Sequence, residues 1–349
     1  MTQIAQSRQL QQNAQELPIS GQKFDWLVIM TTIWFIGGLF VDGWAHNNGR
    51  VDDSFFTPYH AVFYSGFLAV AIVHLFATYK NHQAGLSWQA AIPQGYVLSL
   101  AGLAIFAVGG VGDMIWHETF GIEEGTAALL SPTHLMLGIG MGLITTGPIR
   151  AAGQRKDESK MPFTVLIATA VFISLATFMT QYAYFFDAAS KIMTGRPPTN
   201  GFLYDISHVA GVDGGLITTA IFMSIFFIIM RRWQLPTGTF TAIFFINGLL
   251  MGYMFMELLL VFLLPIVGVM VDILFALLRP SSANPKGIRL FALMTPIIFL
   301  LAYTVAIELL YGSWWEIHFQ TGIPVLAALG SLCLSYMVFP STSIEPLAD

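Results

Sequence analysis

The run Leu258-Leu-Leu-Val-Phe-Leu-Leu-Pro-Ile-Val-Gly-Val-Met-Val-Asp272-Ile-Leu-Phe-Ala-Leu-Leu278 carries one charge in its whole length. A helix needs ~20 mostly apolar residues to cross a bilayer, and this stretch meets that length with nothing to spare. It is not alone. Residues 237–278 are almost unbroken in apolarity, and Met256-Glu257 is the one place where the chain can turn back. Further apolar runs are read as spans at 25–43, 57–79, 94–116, 131–149, 162–184, 208–230, 238–256, 288–311 and 321–339. The expected fold class is therefore an all-α polytopic membrane protein with about ten transmembrane helices. Composition agrees: 55% of residues are hydrophobic and 10% charged, against roughly 25% charged in soluble domains. The partner this implies is the lipid bilayer.

The polar segments divide by charge. With the N-terminus inside, the inside loops hold Arg8, Lys23, Lys80, Arg150, Arg155, Lys156, Lys160, Arg231, Arg232, Arg279, Lys286 and Arg289. The outside loops hold only Arg50, Lys191 and Arg196. Cytoplasmic loops are enriched in Lys and Arg, so both termini are expected inside. Residues 1–24 lack the apolar core of a signal peptide and read as a polar cytoplasmic tail, and 341–349 as a C-terminal tail. The single cysteine, Cys333, excludes an intrachain disulfide framework. No basic block points to nucleic acid.

The acids and histidines favour the outside. Asp52, Asp53, Glu118, Glu123, Glu124, Asp187 and Asp205 fall there, as do His46, His60, His117, His134, His208 and His318; only His74 and His82 lie toward the inside. Much of this edge is built twice. Asp42-x3-His46 is followed by Asp52-Asp53 and then Thr57-Pro58-Tyr59-His60. Asp113-x3-His117 is followed by Glu123-Glu124 and then Ser131-Pro132-Thr133-His134. Asp and His at i and i+4 share one helix face. Proline in the first helical turn costs no backbone hydrogen bond, so the second His stands at the start of the returning helix. The expectation is two metal sites within 25–149: Asp42, His46 and His60, and Asp113, His117 and His134. Residues 150–340 add further helices.

An Asp/His/His set suits a borderline transition metal, and the affinity order favours Cu(II), with iron and zinc taking the same donors. Asp272, Glu257 and Glu308 stand in or beside spans, where acids are functional candidates by default. Together with the edge histidines they define an alternative, a metal or ion transporter with an inward acidic path. A purely structural role, the sites only bracing hairpins, is the third option. Met251, Met254 and Met256 read chiefly as core, with a soft Cu(I) path as the other option. Asn247 is expected to bond across helices, and Trp44, Trp116, Trp314 and Trp315 to form an interfacial belt.

The first unit, Asp42-x3-His46, Arg50-Val-Asp-Asp-Ser-Phe-Phe-Thr57-Pro58-Tyr59-His60 and Phe63-Tyr64, resembles the C-type subunit of the copper-containing membrane monooxygenases, the particulate methane and ammonia monooxygenase family. The second unit, with His117-Glu-Thr-Phe120, Glu123-Glu124 and Pro132-x-His134, resembles the second metal-binding stretch of the same family member. The likeness covers about residues 30–150. It implies copper at both trios, an oxidoreductase or monooxygenase role, other subunits of that complex or a homo-oligomer as partners, and a bacterial-type cytoplasmic membrane. Position 113 is Asp here, where that family has Asn.

Overall fold

A computed structural model describes residues 18–50, 56–121, 125–155 and 159–340. The acidic pairs Asp52-Asp53 and Glu123-Glu124, and both tails beyond those limits, lie outside the described residues. Within them the chain is helical, with no named strand. Helices α1 (Gly21–Asn47), α2 (Pro58–Gln83), α3 (Trp88–Ala91), α4 (Val97–Phe120), α5 (Thr126–Leu130), α6 (Pro132–Thr145) and α7 (Gly147–Gln154) form the first part. The second comprises α8 (Phe163–Met179), α9 (Ser190–Thr194), α10 (Gly201–Arg232), α11 (Thr239–Phe255), α12 (Leu258–Leu278), α13 (Pro285–Tyr311) and α14 (Ile317–Val338).

Eight helices among the described residues are long and apolar enough to span a membrane, α6 and α7 counting as one, and α8 and α11 are shorter apolar helices. Helix lies along each of the ten runs read as spans, and eight of these have the length and composition to cross a membrane. Many large apolar side chains face outward, Leu309 and Met337 more than three-quarters exposed. In water such a surface would aggregate; in lipid it is the solvated face.

The helix starts follow from sequence. Thr57, Ser131 and Asn284 each accept a backbone N–H in the first turn, from His60, His134 and Gly287, and each precedes a proline at the helix start. These caps satisfy amides that no earlier turn can reach. The hairpin tip falls at the expected residues: α11 ends at Phe255, Met256 is left-handed (φ 59°), and α12 begins at Leu258.

Helix pairs α1–α2 and α4–α6 are closely packed, and glycine makes that possible. A Cβ on Gly38 would lie 2.7 Å from Phe63 Cα, and one on Gly66 would lie 2.5 Å from Phe35 Cα. In the second pair a Cβ on Gly140 would meet Phe106 N at 2.9 Å, and one on Gly109 would meet Leu137 N at 3.3 Å. These are one pattern used twice. Phe35, Gly38, Asp42 and His46 correspond in register to Phe106, Gly109, Asp113 and His117, and His60, Phe63 and Gly66 to His134, Leu137 and Gly140. The duplication therefore reaches well into the bilayer-spanning part of each helix. The hairpins meet through aromatic rings, Phe35 and Phe106 edge-on at 4.9 Å and Phe63 and Phe106 at 5.6 Å.

Two expected boundaries are corrected. The span expected at 162–184 ends as α-helix at Met179 and continues through a 3-10 turn, Gln181–Ala183, and a π-helical turn, Phe185–Ala189. The span expected at 208–230 begins at Gly201 because Asn200 caps the Phe202 amide, which draws Asp205 and His208 into the first turns of α10.

Candidate metal centre

Each duplicated hairpin delivers three ligand-type side chains to one point. Asp42 and His46 come from the last turns of α1, and His60 from the first turn of α2. His60 Nε2 lies 3.3 Å and His46 Nε2 3.8 Å from Asp42 Oδ2. In the second unit His117 Nε2 lies 3.5 Å from Asp113 Oδ2, and His134 Nδ1 3.4 Å from Asp113 Oδ1. In each trio one ligand atom per residue can be chosen so that all three lie within 4.8 Å of one another. Two imidazole nitrogens on one ion, each at ~2.0–2.1 Å, stand at most ~4.2 Å apart, so each trio lies within side-chain reach of a shared ion. All six residues singled out in the sequence meet in the two sets expected.

The sets differ in how their carboxylates are held. Asp113 accepts a hydrogen bond from Thr133 Oγ1 at 2.9 Å, and Ser131 Oγ lies 2.6 Å from His134 Nδ1. Such partners fix ligand orientation. In the first set Tyr59 occupies the position of Thr133, and Asp42 Oδ1 is buried without a hydrogen-bond partner. An unsatisfied buried carboxylate oxygen is costly, and a metal ion is a partner that would offset that cost. The donor set and this orphaned oxygen both fit a borderline divalent metal.

Both sets line one cavity of about 920 Å³. Its walls add residues that the sequence alone does not assign to the site. Tyr64, one turn after His60, lies along the seam: its ring centroid is 6.2 Å from that of His60, and its hydroxyl would stand 3.2 Å from a Cβ on Gly110 in α4. His60 and Tyr64 also border a second, apolar groove of about 640 Å³ between α2 and α4, lined by Phe67, Ala107 and Val111 among others. Met141, Phe178 and Met179 line the chamber on the side of α6 and α8. Asp187 faces it from the π-helical turn, and burial raises its carboxyl above the ordinary range, against the lowering effect of Lys191. Asp187 is legible in sequence as an edge acid; its place in the chamber depends on a backbone irregularity that no spacing announces.

Other polar residues have different occupations. His208 is buried with its ring 3.7 Å from that of Phe319 and 5.0 Å from that of Trp314. His318 is exposed and 3.6 Å from Glu316. Neither joins a trio. Trp315, expected in an interfacial belt, is buried instead, 3% exposed, because α10 leaves room for it at Gly211, where a Cβ would overlap its ring. Met251 and Met254 are core, and exposed Met256 accepts a hydrogen bond from Trp44 Nε1. Asp272 caps α11, accepting from the backbone N–H groups of Phe240 and Thr241 and from Thr241 Oγ1. Glu308 is exposed and accepts from Gln320. Asn247 bonds across helices as expected, accepting from Tyr184 OH and donating to Thr177 Oγ1 and Ser174 Oγ.

At the opposite helix ends Asp25 is fully buried, accepting from Tyr96 OH and paired to Arg155 at 2.6 Å. Arg232 donates to the backbone carbonyls of Gly153 and Arg155. This end is tied by ion pair and carbonyl contacts, while the other carries the metal-type ligands. Among known proteins, no family model, no curated protein and no solved structure matches the chain.

Proposed function

We propose that this chain is a membrane metalloprotein that holds copper at Asp42, His46 and His60 and again at Asp113, His117 and His134, and that it takes part in oxygen-dependent oxidation at one edge of the bilayer. The observation that carries this reading is the convergence of two Asp/His/His sets on a single cavity. The resemblance of the first unit to the C-type subunit of the copper membrane monooxygenases suggests the metal and the reaction class. The deeper register of the duplication supports treating both trios as sites of one kind. In this reading the ligand edge faces outward from a cytoplasmic membrane, following the distribution of Lys and Arg. Other subunits of the monooxygenase type, or further copies of the chain, would complete the assembly.

Copper bound at these sets would supply one-electron redox chemistry. The chain's own residues do the positioning. Thr57 and Ser131 fix the helix starts that aim His60 and His134. Thr133 orients Asp113, and the Phe35, Phe63 and Phe106 rings pack together where the two hairpins meet.

The test is metal analysis of detergent-purified protein from copper-replete cells, with iron and zinc measured in the same samples. Two equivalents are expected in the wild type, one in His60→Ala or His134→Ala, and none in the double variant. A wild type without stoichiometric transition metal sinks the proposal.

A further inference from the structure

The chamber wall also carries an ion pair that neither metal set uses. Asp187 lines the cavity and is 4% exposed, while the Lys191 ammonium stands 2.8 Å from its Oδ2 on a side chain that is 60% exposed. The carboxylate thus belongs to the interior and its cation to the rim. The Lys191 ammonium also lies 4.9 Å from the centroid of Phe255, another residue of the chamber wall.

The backbone that presents Asp187 is a single π-helical turn, Phe185–Ala189, a feature that concentrates at functional positions. It is fastened on several sides. The Phe185 amide donates to Thr218 Oγ1, Tyr303 OH donates to the Phe186 carbonyl, and Tyr184 OH bonds Asn247. Asp187 is consequently held in place, whereas Lys191 has a long, flexible, solvated side chain. Glu257, at the α11–α12 turn, adds negative charge nearby: burial raises its carboxyl first, and Asp187 adds to the shift. An ion pair with one well-solvated partner is weak and exchanges readily.

We propose that Asp187 and Lys191 form an exchange site for the entering metal ion: a divalent cation displaces the Lys191 ammonium from the Asp187 carboxylate and passes on to the two Asp/His/His sets. No bond other than ionic contacts is made or broken, and the displaced ammonium turns to water at the rim. The role is kinetic. Asp187 lines the same chamber as the ligand sets and is a member of neither, so it sets the loading rate and leaves the final occupancy alone. A clustered negative charge in a low-dielectric cleft raises cation on-rates by ~10–10³.

This inference rests on the metal reading above, and one experiment separates the two. Full-length protein in detergent is stripped of metal and mixed with copper(II) chloride at low ionic strength, and loading is followed by stopped-flow absorbance. Final copper is measured in the same samples. Asp187→Asn is expected to load about tenfold more slowly with unchanged final copper, Asp187→Glu to recover most of the rate, and Lys191→Ala to load several-fold faster. Lys191 is at the surface, so its variant reports even if Asp187→Asn fails to fold. Wild-type loading rates in Lys191→Ala, or in Asp187→Asn, overturn the exchange site while leaving the metal reading intact. Lower final copper in Asp187→Asn also overturns it, because the residue would then be a ligand. A wild type that takes up no copper removes both.

Discussion

Gly38 offers the sharpest perturbation, because it acts on the first metal set without touching a ligand. It lies one helical turn before Asp42, and its missing side chain lets α1 rest on α2 at Phe63, one turn after His60. An added Cβ would stand 2.7 Å from Phe63 Cα, where ordinary contact begins at 3.4 Å. The nearest neighbours of that Cβ are all backbone atoms of Val62 and Phe63, so no side chain can swing aside and the helices must part by about 0.7 Å. If that displacement carries to the site, the His60 Nε2 to Asp42 Oδ2 distance opens from 3.3 Å to about 4.0 Å. Metal sites tolerate ligand displacements of only ~0.5 Å. Gly38→Ala is therefore expected to lower copper affinity at the first set by roughly 10–100-fold, comparable to losing a residue that orients a ligand. It should also destabilise the protein by about 1–3 kcal/mol through overpacking. The assay is copper retention against a graded chelator, measured in Gly38→Ala and in Gly37→Ala, whose Cβ would meet nothing within 4 Å. One equivalent should be lost early from Gly38→Ala only. Equal retention of both equivalents in the two variants would refute the claim that the glycine seam sets ligand spacing.

Three further perturbations test other parts of the structure. Thr133→Val removes the hydroxyl that donates to Asp113 at 2.9 Å; calorimetric titration should show ~10–100-fold weaker copper binding at the second set alone, and an equal loss at both sets would count against the assignment. Asn247→Leu leaves the buried Tyr184 OH without its acceptor; thermal unfolding in detergent should report about 1–3 kcal/mol of lost stability with copper content preserved. Asp272→Ala uncaps α11 and should cost ~0.5–2 kcal/mol while leaving copper stoichiometry and uptake into proteoliposomes unchanged; a selective loss of metal uptake would instead favour an inward acidic path.

The parts of the site that are legible in sequence are those governed by short, rigid spacing. Asp-x3-His reads directly because i and i+4 share a helix face, and Pro-x-His reads because proline marks a helix start. The deeper half of the duplication is invisible there for the opposite reason. Phe35, Gly38 and Gly66 are apolar or small residues among many such residues in a membrane chain, and only contact with the partner helix distinguishes them from lipid-facing neighbours. Asp187 escapes because its direction depends on one π-helical turn, which shifts the side-chain phase after α8. Asp272 shows that an intramembrane acid can be fully used as a helix cap, a role that its position in the chain does not reveal until α11 and α12 are placed side by side. The extent of α10 differs from expectation since Asn200 caps a helix start ahead of the continuous apolar run, in a mixed stretch that Asp205, Ser207 and His208 interrupt.

The glycine beneath Tyr64 bears on how a duplicated chamber can diverge. In register, Gly110 of the second copy stands where the first has Leu39, and Tyr64 of the first stands where the second has Gly138. The two differences are physically linked, because a Cβ on Gly110 would come within 3.1 Å of the Tyr64 ring. One copy gives up a side chain at the place where the other extends a phenol into the shared space. A phenol at position 138 as well would meet Met179, whose Cε already stands 2.8 Å from a Cβ placed there. At this contact the two copies are complementary, the phenol of one filling the space that the glycine of the other leaves, so the two ends of the chamber differ in chemistry although their ligand sets match.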